Sequence, residues 1–437
     1  MSAIKHLRYR FMRDVGAPVL MDLSRLRKKR RPKKLNPDMG PPLRCNARLM
    51  EIMSRHYFLS RYARPARPVA WVTSGAPVEL LRAFDFYTIY PENHAALCGA
   101  QKMGSDLCVK AEEKGYNQDL CSYARVDLGH MFSGKTPVGR LPKPDLLFCS
   151  NNICQTVVYW YRVLAHHFKV PLILFDTPYN NSEINETDTE YMVDQFEEMI
   201  DQMEEVSGRP FNYRHFQNII GLAKETCLTW GKVLATMKAH PSPMTIFDAF
   251  IHMAPVVSLR GLPVALDYYR TLLRELEDRV ERGVGAVTNE RKRLMWDNIA
   301  IWYKIRDISS LFAAQGMNFV TSTYPNAWAE TTPYMNENQP FESMARAYSL
   351  VILNNNLSHR LSLMERLIEE FKVDGLVIHS AKSCKPYSVG QYDIKRLLTA
   401  RLGLPSVVIE ADIADARAYS EEQTRTRLEA FFDMMER

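Results

Sequence analysis

Eight cysteines are scattered along the 437-residue chain, at positions 45, 98, 108, 121, 149, 154, 227 and 384. Three of them, Cys121, Cys154 and Cys384, have polar, turn-forming neighbours in "NQDLCSYA", "CSNNIC" and "HSAKSCKPYS". Such a setting suits a ligand better than a packed core thiol. Cys108 and Cys227 fall on helical faces, Cys98 on an Ala-rich stretch and Cys149 inside an apolar strand pattern, so these four are expected in the core. Structural zinc prefers four ligands in close-set pairs, which the three remaining thiols do not form. A nucleophilic cysteine needs one thiol with a histidine base, whereas here the candidates are plural. An iron–sulfur cluster is held by thiolates and can be built from distant positions in a cleft. Three ligands rather than four would leave one iron open to chemistry.

Thiols so far apart in sequence meet only through the fold. From Pro68 onward, short apolar runs alternate with amphipathic helical patterns. The strand candidates are "PVAWVTSG", "FYTIYPEN", "PDLLFCSNNIC" and "VPLILFDTPY", then "RLMWDNIAIW", "MNFVTSTYP", "VDGLVIHSAKSC" and "PSVVIEADIAD". This alternation predicts an α/β protein with two doubly wound parallel-sheet domains, Rossmann- or flavodoxin-like, joined by a helical segment. The expected division is a basic N-terminal arm over 1–65, a first α/β domain over 66–186, a helical segment over 187–290 and a second α/β domain over 291–437. Ligands of open α/β sheets bind at the carboxyl ends of strands. There the chain places Thr73, Ser74 and Gly75, then Pro91, Glu92, Asn93 and His94, then Cys154 and Cys384.

Composition and charge narrow the function classes. The hydrophobic content of 46% is ordinary for a globular protein. No apolar run reaches the roughly 18 residues of a membrane helix, and the opening "MSAIKHLRYRFMRD" is too charged for a secretory signal. A cytoplasmic protein without membrane association is expected. Residues 1–45 carry 13 Lys or Arg against 3 Asp, a net +10, so the rest of the chain stands at −4 within the overall +6. The run Arg25–Lys34, "RLRKKRRPKK", would suit an anionic partner, yet no nucleic-acid-binding motif follows it and the body is acidic. The run is read as an arm that is solvated or drapes over a partner subunit, with no nucleic acid bound.

The blocks "YPENHAALCGA", "GYNQDLCSYAR", "LPKPDLLFCSNNIC", "WYRVLAHHFKVPLILFDTPYN", "SCKPYSVGQYDI" and "LPSVVIEAD" occur in this order. From about Trp71 the chain resembles the larger subunits of the 2-hydroxyacyl-CoA dehydratase and class I benzoyl-CoA reductase family. The resemblance implies that Cys121, Cys154 and Cys384 bind a low-potential iron–sulfur cluster, of the 4Fe–4S or a larger double-cubane type. It implies roles near the open iron for Ser74 and Glu92, and His94 is available beside them as a further catalytic candidate. His379, Trp302 and Tyr303 are available for an acyl pocket. The implied partners are a related cluster-binding subunit, a separate activator that hydrolyses ATP to deliver single electrons, and an acyl-CoA substrate. The activator alone would use ATP, since the chain is read as having no Walker-type Gly-Lys-Ser/Thr loop of its own.

In this family the electron enters the thioester and makes a ketyl radical. A dehydratase then expels hydroxide and recovers the electron, whereas a reductase adds a second electron and protons to give a cyclic dienoyl-CoA. The stretch "MWDNIAIW" has Ala300 and Ile301 where dehydratases carry Pro-Cys. The segment from "NNNLSHR" to "SAKSC" looks like the larger benzoyl-CoA reductase subunits, with Lys382 where dehydratases tend to have Arg. The expected function is therefore an ATP-dependent benzoyl-CoA reductase subunit, an iron–sulfur oxidoreductase. The alternative is a (R)-2-hydroxyacyl-CoA dehydratase subunit, a lyase.

Overall fold

All eight apolar runs form strands in the computed structural model of the chain, which describes residues 2–28, 36–180 and 184–436. They are β1 (Val69–Val72), β2 (Tyr87–Ile89), β3 (Leu146–Ser150), β4 (Leu172–Phe175), β5 (Lys292–Asp297), β6 (Met317–Ser322), β7 (Gly375–Ala381) and β8 (Ser406–Ala411). The first four pair in the order β2-β1-β3-β4 and the last four in the order β6-β5-β7-β8, every pair parallel. The two sheets thus share one topology. Most strand residues are buried, as continuous apolar runs demand when helices cover both faces of a parallel sheet.

In each sheet the strand order reverses beside its first strand, between β1 and β3 and again between β5 and β7. The crossover loops leave those two strands in opposite directions, so a crevice opens at their carboxyl ends. Ser74 follows β1 and Cys154 follows β3; Cys384 follows β7. Topology alone therefore brings residues from both halves of the chain toward one place.

The segment between the sheets is helical, with helices Glu186–Ser207, Tyr213–Ala235, Ile246–His252, Ala254–Ser258 and Pro263–Glu281. Within the residues read as an arm, the helix Cys45–Ala63 is packed into the body. It buries Leu49, Ile52, Tyr57 and Leu59, and Glu275 accepts hydrogen bonds from the Arg44 and Cys45 backbone N–H groups at its start. Before it lie helices Ser2–Phe11 and Ala17–Lys28, joined by a π-helical turn. Most of the basic run Arg25–Lys34 lies outside the described residues. Among the described residues, no helix is long and apolar enough to cross a membrane.

Asparagines stitch the halves together. Asn152 Nδ2 donates to the carbonyls of Gly75 (2.8 Å) and Tyr348 (2.9 Å), and Asn180 Nδ2 donates to Ser349 O (2.6 Å). A Cβ at Gly75 would stand 2.4 Å from Asn152 Oδ1, so only glycine lets the β1 and β3 loops close on each other.

The reading that the chain has no Walker-type string needs correction. Gly129–Thr136, "GHMFSGKT", has the Gly-x4-Gly-Lys-Thr spacing. Its structure is the reverse of a phosphate-binding loop, which runs from a strand into a helix N-terminus. Here the first five residues end the helix Ser122–Ser133 and Gly134 is its left-handed C-cap (φ 70°), so carbonyls rather than N–H groups face the loop. Gly129 serves packing, since a Cβ there would meet Leu107 O at 1.9 Å.

Candidate active site

Each of the three cysteines occupies the N-cap of a helix. Cys121 precedes Ser122–Ser133, Cys154 precedes Gln155–Phe168 and Cys384 precedes the single turn Lys385–Ser388. A helix start presents unpaired N–H groups and the positive end of the backbone dipole. None of the three sulfurs makes a cap hydrogen bond, but the nearby N–H groups favour the ionised form: that of Ala124 at Cys121, those of Thr156 and Val157 at Cys154, and that of Tyr387 at Cys384.

Direct bonds set two of the thiols together. Ser383, immediately before Cys384, accepts a 2.9 Å hydrogen bond from the backbone N–H of Ser122, immediately after Cys121, and donates its hydroxyl to Asp412. Arg125 holds the same helix by donating to Glu112 (2.7 Å) and Asp415 (3.0 Å). The turn after Cys384 hangs on a buried network in which Arg360 donates to Asp297 (2.7 Å) and to the Tyr387 carbonyl (2.8 Å). Replacing Arg360 by alanine strands the buried Asp297 carboxylate, at a cost of roughly 3–5 kcal/mol. Chemical denaturation will show that loss, whereas Arg401→Ala, which removes a half-exposed pair with Glu365, will shift the midpoint by less than about 1 kcal/mol.

All three thiols line one cavity of about 120 Å³ together with Ser74 and Glu92. Glu92 lies in the first turn of helix Pro91–Ala100 and accepts from the Ser74 backbone N–H (2.6 Å) and hydroxyl (2.9 Å). Burial outweighs these two bonds and pushes its carboxyl up to about 7. Most of the remaining wall is apolar and aromatic, including Ile153, Val157, Trp160, Tyr324, Trp328 and Ile352.

His94 is placed elsewhere. It shares the helix with Glu92 but faces the opposite way, buried against His130, with Nε2 at 2.8 Å from Thr136 Oγ1. Nor do the other available residues reach the cavity wall: His379 bonds the Ile299 carbonyl, Trp302 donates to Tyr123 and Tyr303 lines a separate small cleft. The aromatic wall comes instead from Tyr324 and Trp328, on the helix Thr323–Thr331 after β6, and from Tyr348. The sequence signal for the first two was that β6 also ends at the crevice. Cys98, Cys108, Cys149 and Cys227 are fully buried core residues, as expected.

The donor set fits a cluster. Burial first, then the nearness of the other two thiols, pushes the Cys121 thiol far up; burial and neighbouring Cys154 push Cys384 up to about 12, and burial pushes Cys154 up to about 11. Three half-buried thiolates around one cavity would repel one another, and the irons of a cluster would supply the positive charge between them. Among the described residues, no three His, Cys, Asp or Glu side chains converge on a point suited to a single metal ion. Thiols spaced around a cavity instead suit a polynuclear group several atoms across.

The family model "2-hydroxyglutaryl-CoA dehydratase, D-component" matches residues 73–435. The chain is 36% identical to the (R)-2-hydroxyisocaproyl-CoA dehydratase alpha subunit of Clostridioides difficile, over 85% of this chain and 90% of that one. It is 33% identical to the lactoyl-CoA dehydratase alpha subunit of Anaerotignum propionicum, over 84% and 90% respectively. It is 31% identical to a benzoyl-CoA reductase subunit of Thauera aromatica, over 82% and 86%. Each of these relatives is one subunit of a larger enzyme, which implies partner subunits. With residues 73–435 matched, the chain belongs to the enzyme family of the 2-hydroxyglutaryl-CoA dehydratase D-component, which takes in 2-hydroxyacyl-CoA dehydratase alpha subunits and a benzoyl-CoA reductase subunit.

Proposed function

We propose that the chain is the cluster-holding subunit of a 2-hydroxyacyl-CoA dehydratase. The observation that carries this reading is an apolar cavity lined by both the three N-cap thiols and the Ser74–Glu92 pair. Cys121, Cys154 and Cys384 would hold a 4Fe–4S cluster, and its partners would be a related cluster-binding subunit and an ATP-hydrolysing activator. When bound, the cluster supplies a single electron to the acyl thioester and takes it back.

The chain's own residues do the rest. The apolar walls receive the acyl group and exclude water, which strengthens every charge interaction inside. Glu92, with its proton poised near neutrality, accepts the proton from C3 while hydroxide leaves C2. The elimination is redox-neutral overall. Ser74 fixes the carboxylate through both of its donors, so the base does not wander. Glu92 is the one carboxyl among the described lining residues. One carboxyl suits an elimination that removes a single proton better than a ring reduction that adds two protons and two electrons.

Reduction of an aromatic acyl-CoA, the function expected from the sequence, stands as a second reading because Trp160, Tyr324, Trp328 and Tyr348 give the cavity flat walls. The product decides between them. The anaerobic assembly of chain, partner subunit, activator, ATP and reductant is expected to convert a (R)-2-hydroxyacyl-CoA to the enoyl-CoA, with ATP needed only to start. A cyclic dienoyl-CoA from benzoyl-CoA, with ATP consumed at each turnover, would reverse the assignment.

A further inference from the structure

Among the described residues lining the cavity there is one cation, Arg260, and its charge is paired with Glu79. Arg260 Nε donates to Glu79 Oε1 at 2.7 Å, Nη1 to the Val256 carbonyl at 3.0 Å and Nη2 to the Tyr348 hydroxyl at 2.6 Å. Tyr348 in turn donates to the other Glu79 oxygen at 2.6 Å, which closes a ring of three side chains. All three are buried, Arg260 and Glu79 to within 1% of complete exclusion from solvent. The nearby Arg82 is spent on the carbonyls of Ser258 and Arg260 and does not line the cavity.

A cation in a substrate pocket is the obvious partner for a substrate carboxylate, and here that partner has been cancelled. A carboxylate entering this cavity would lose its hydration and meet a guanidinium whose charge Glu79 already balances and three of whose five N–H donors are taken. An apolar group would meet aliphatic and aromatic walls.

We infer that this pocket selects acyl groups ending in an apolar branched chain or an aromatic ring and rejects those ending in a carboxylate, with Glu79 setting the preference by neutralising Arg260 and Tyr348 bridging the two. The inference rests on the placement of the acyl group in this cavity under the proposed function. Glu79 is a positioning residue for specificity: it acts on the substrate through Arg260.

The test is calorimetric binding of saturated thioesters, which lack the 2-hydroxyl and cannot turn over, to the cluster-loaded complex. Isocaproyl-CoA and phenylpropanoyl-CoA are expected to bind roughly 100-fold more tightly than glutaryl-CoA. Glu79→Gln, which removes the counter-charge but keeps the shape, is expected to narrow that gap by roughly 10-fold through better binding of glutaryl-CoA. The double variant Glu79→Gln, Arg260→Met leaves no charge and should restore the apolar preference. Equal binding of glutaryl-CoA by the wild-type complex, or an unchanged gap in folded Glu79→Gln, would overturn the inference. The wild-type comparison decides the matter even if a variant fails to fold. Failure to bind any acyl-CoA would instead remove the proposed function, and an apolar preference in an enzyme that reduces rings would remove dehydration while leaving this inference standing.

Discussion

Serine at position 384 abolishes cluster binding: anaerobically purified Cys384→Ser is expected to have lost most of its iron and acid-labile sulfide, and with them all turnover. The same result is expected for Cys121→Ser and Cys154→Ser. Each thiol sits at a helix N-cap where backbone N–H groups support a thiolate, and burial disfavours that thiolate unless cations are near. Removing one ligand therefore weakens the hold on the other two, whose negative charges need the irons as much as the irons need them. Cys149→Ser is the control. That thiol is fully buried inside β3, five residues before Cys154, and points into the core. Its loss is expected to leave iron content unchanged, so iron analysis of the four variants separates ligand from packing thiol.

Glutamine at position 92 is expected to lower turnover roughly 10²–10⁴-fold while leaving the cluster's visible spectrum intact. The pH dependence carries more information than the loss. Burial raises the Glu92 carboxyl from 4.5 to about 7, so a base at this position is ionised only above that point. Wild-type kcat/KM should rise with pH through about 7 and then level off. Stability runs the other way. A carboxyl whose folded pKa is raised contributes stability that is fully present below the unfolded value and lost as pH climbs from 4.5 to 7. The loss amounts to about 3 kcal/mol. Glutamine is neutral throughout and loses nothing across that window. Wild type and Glu92→Gln compared by chemical denaturation should therefore diverge between about pH 5 and pH 8, with wild type falling. A variant that keeps its turnover, or a wild-type kcat/KM that falls through pH 7, would remove Glu92 as the base.

The eight strands were legible because strands buried on both faces read as unbroken apolar runs, and the parallel arrangement followed from their alternation with helices. The topology then indicated where function would lie, at the carboxyl ends of β1, β3 and β7. Ser74, Glu92, Cys154 and Cys384 were readable as strand-end residues, and Cys121, which no strand precedes, from its polar, turn-forming neighbours. His94 was misplaced for a simple reason. It lies two residues beyond Glu92 on one helix, a rotation of about 200°, so the two side chains face opposite directions and only one can line the cavity. Tyr324 and Trp328 were overlooked because an aromatic on an amphipathic helix reads alike whether it faces a core or a cavity. The Arg260–Glu79–Tyr348 ring joins residues 79, 260 and 348, a closure that spans three segments of the chain and leaves no local signature. The helix Cys45–Ala63 was absorbed into a basic arm because charge drew attention away from its buried stripe of Leu49, Ile52 and Leu59.

Whether three N-cap cysteines hold an iron–sulfur cluster is decided by iron and acid-labile sulfide per chain in wild-type protein purified without oxygen. Roughly four of each are expected, with broad visible absorption that bleaches on reduction. A folded chain that retains neither iron nor sulfide under those conditions would contradict the cluster assignment.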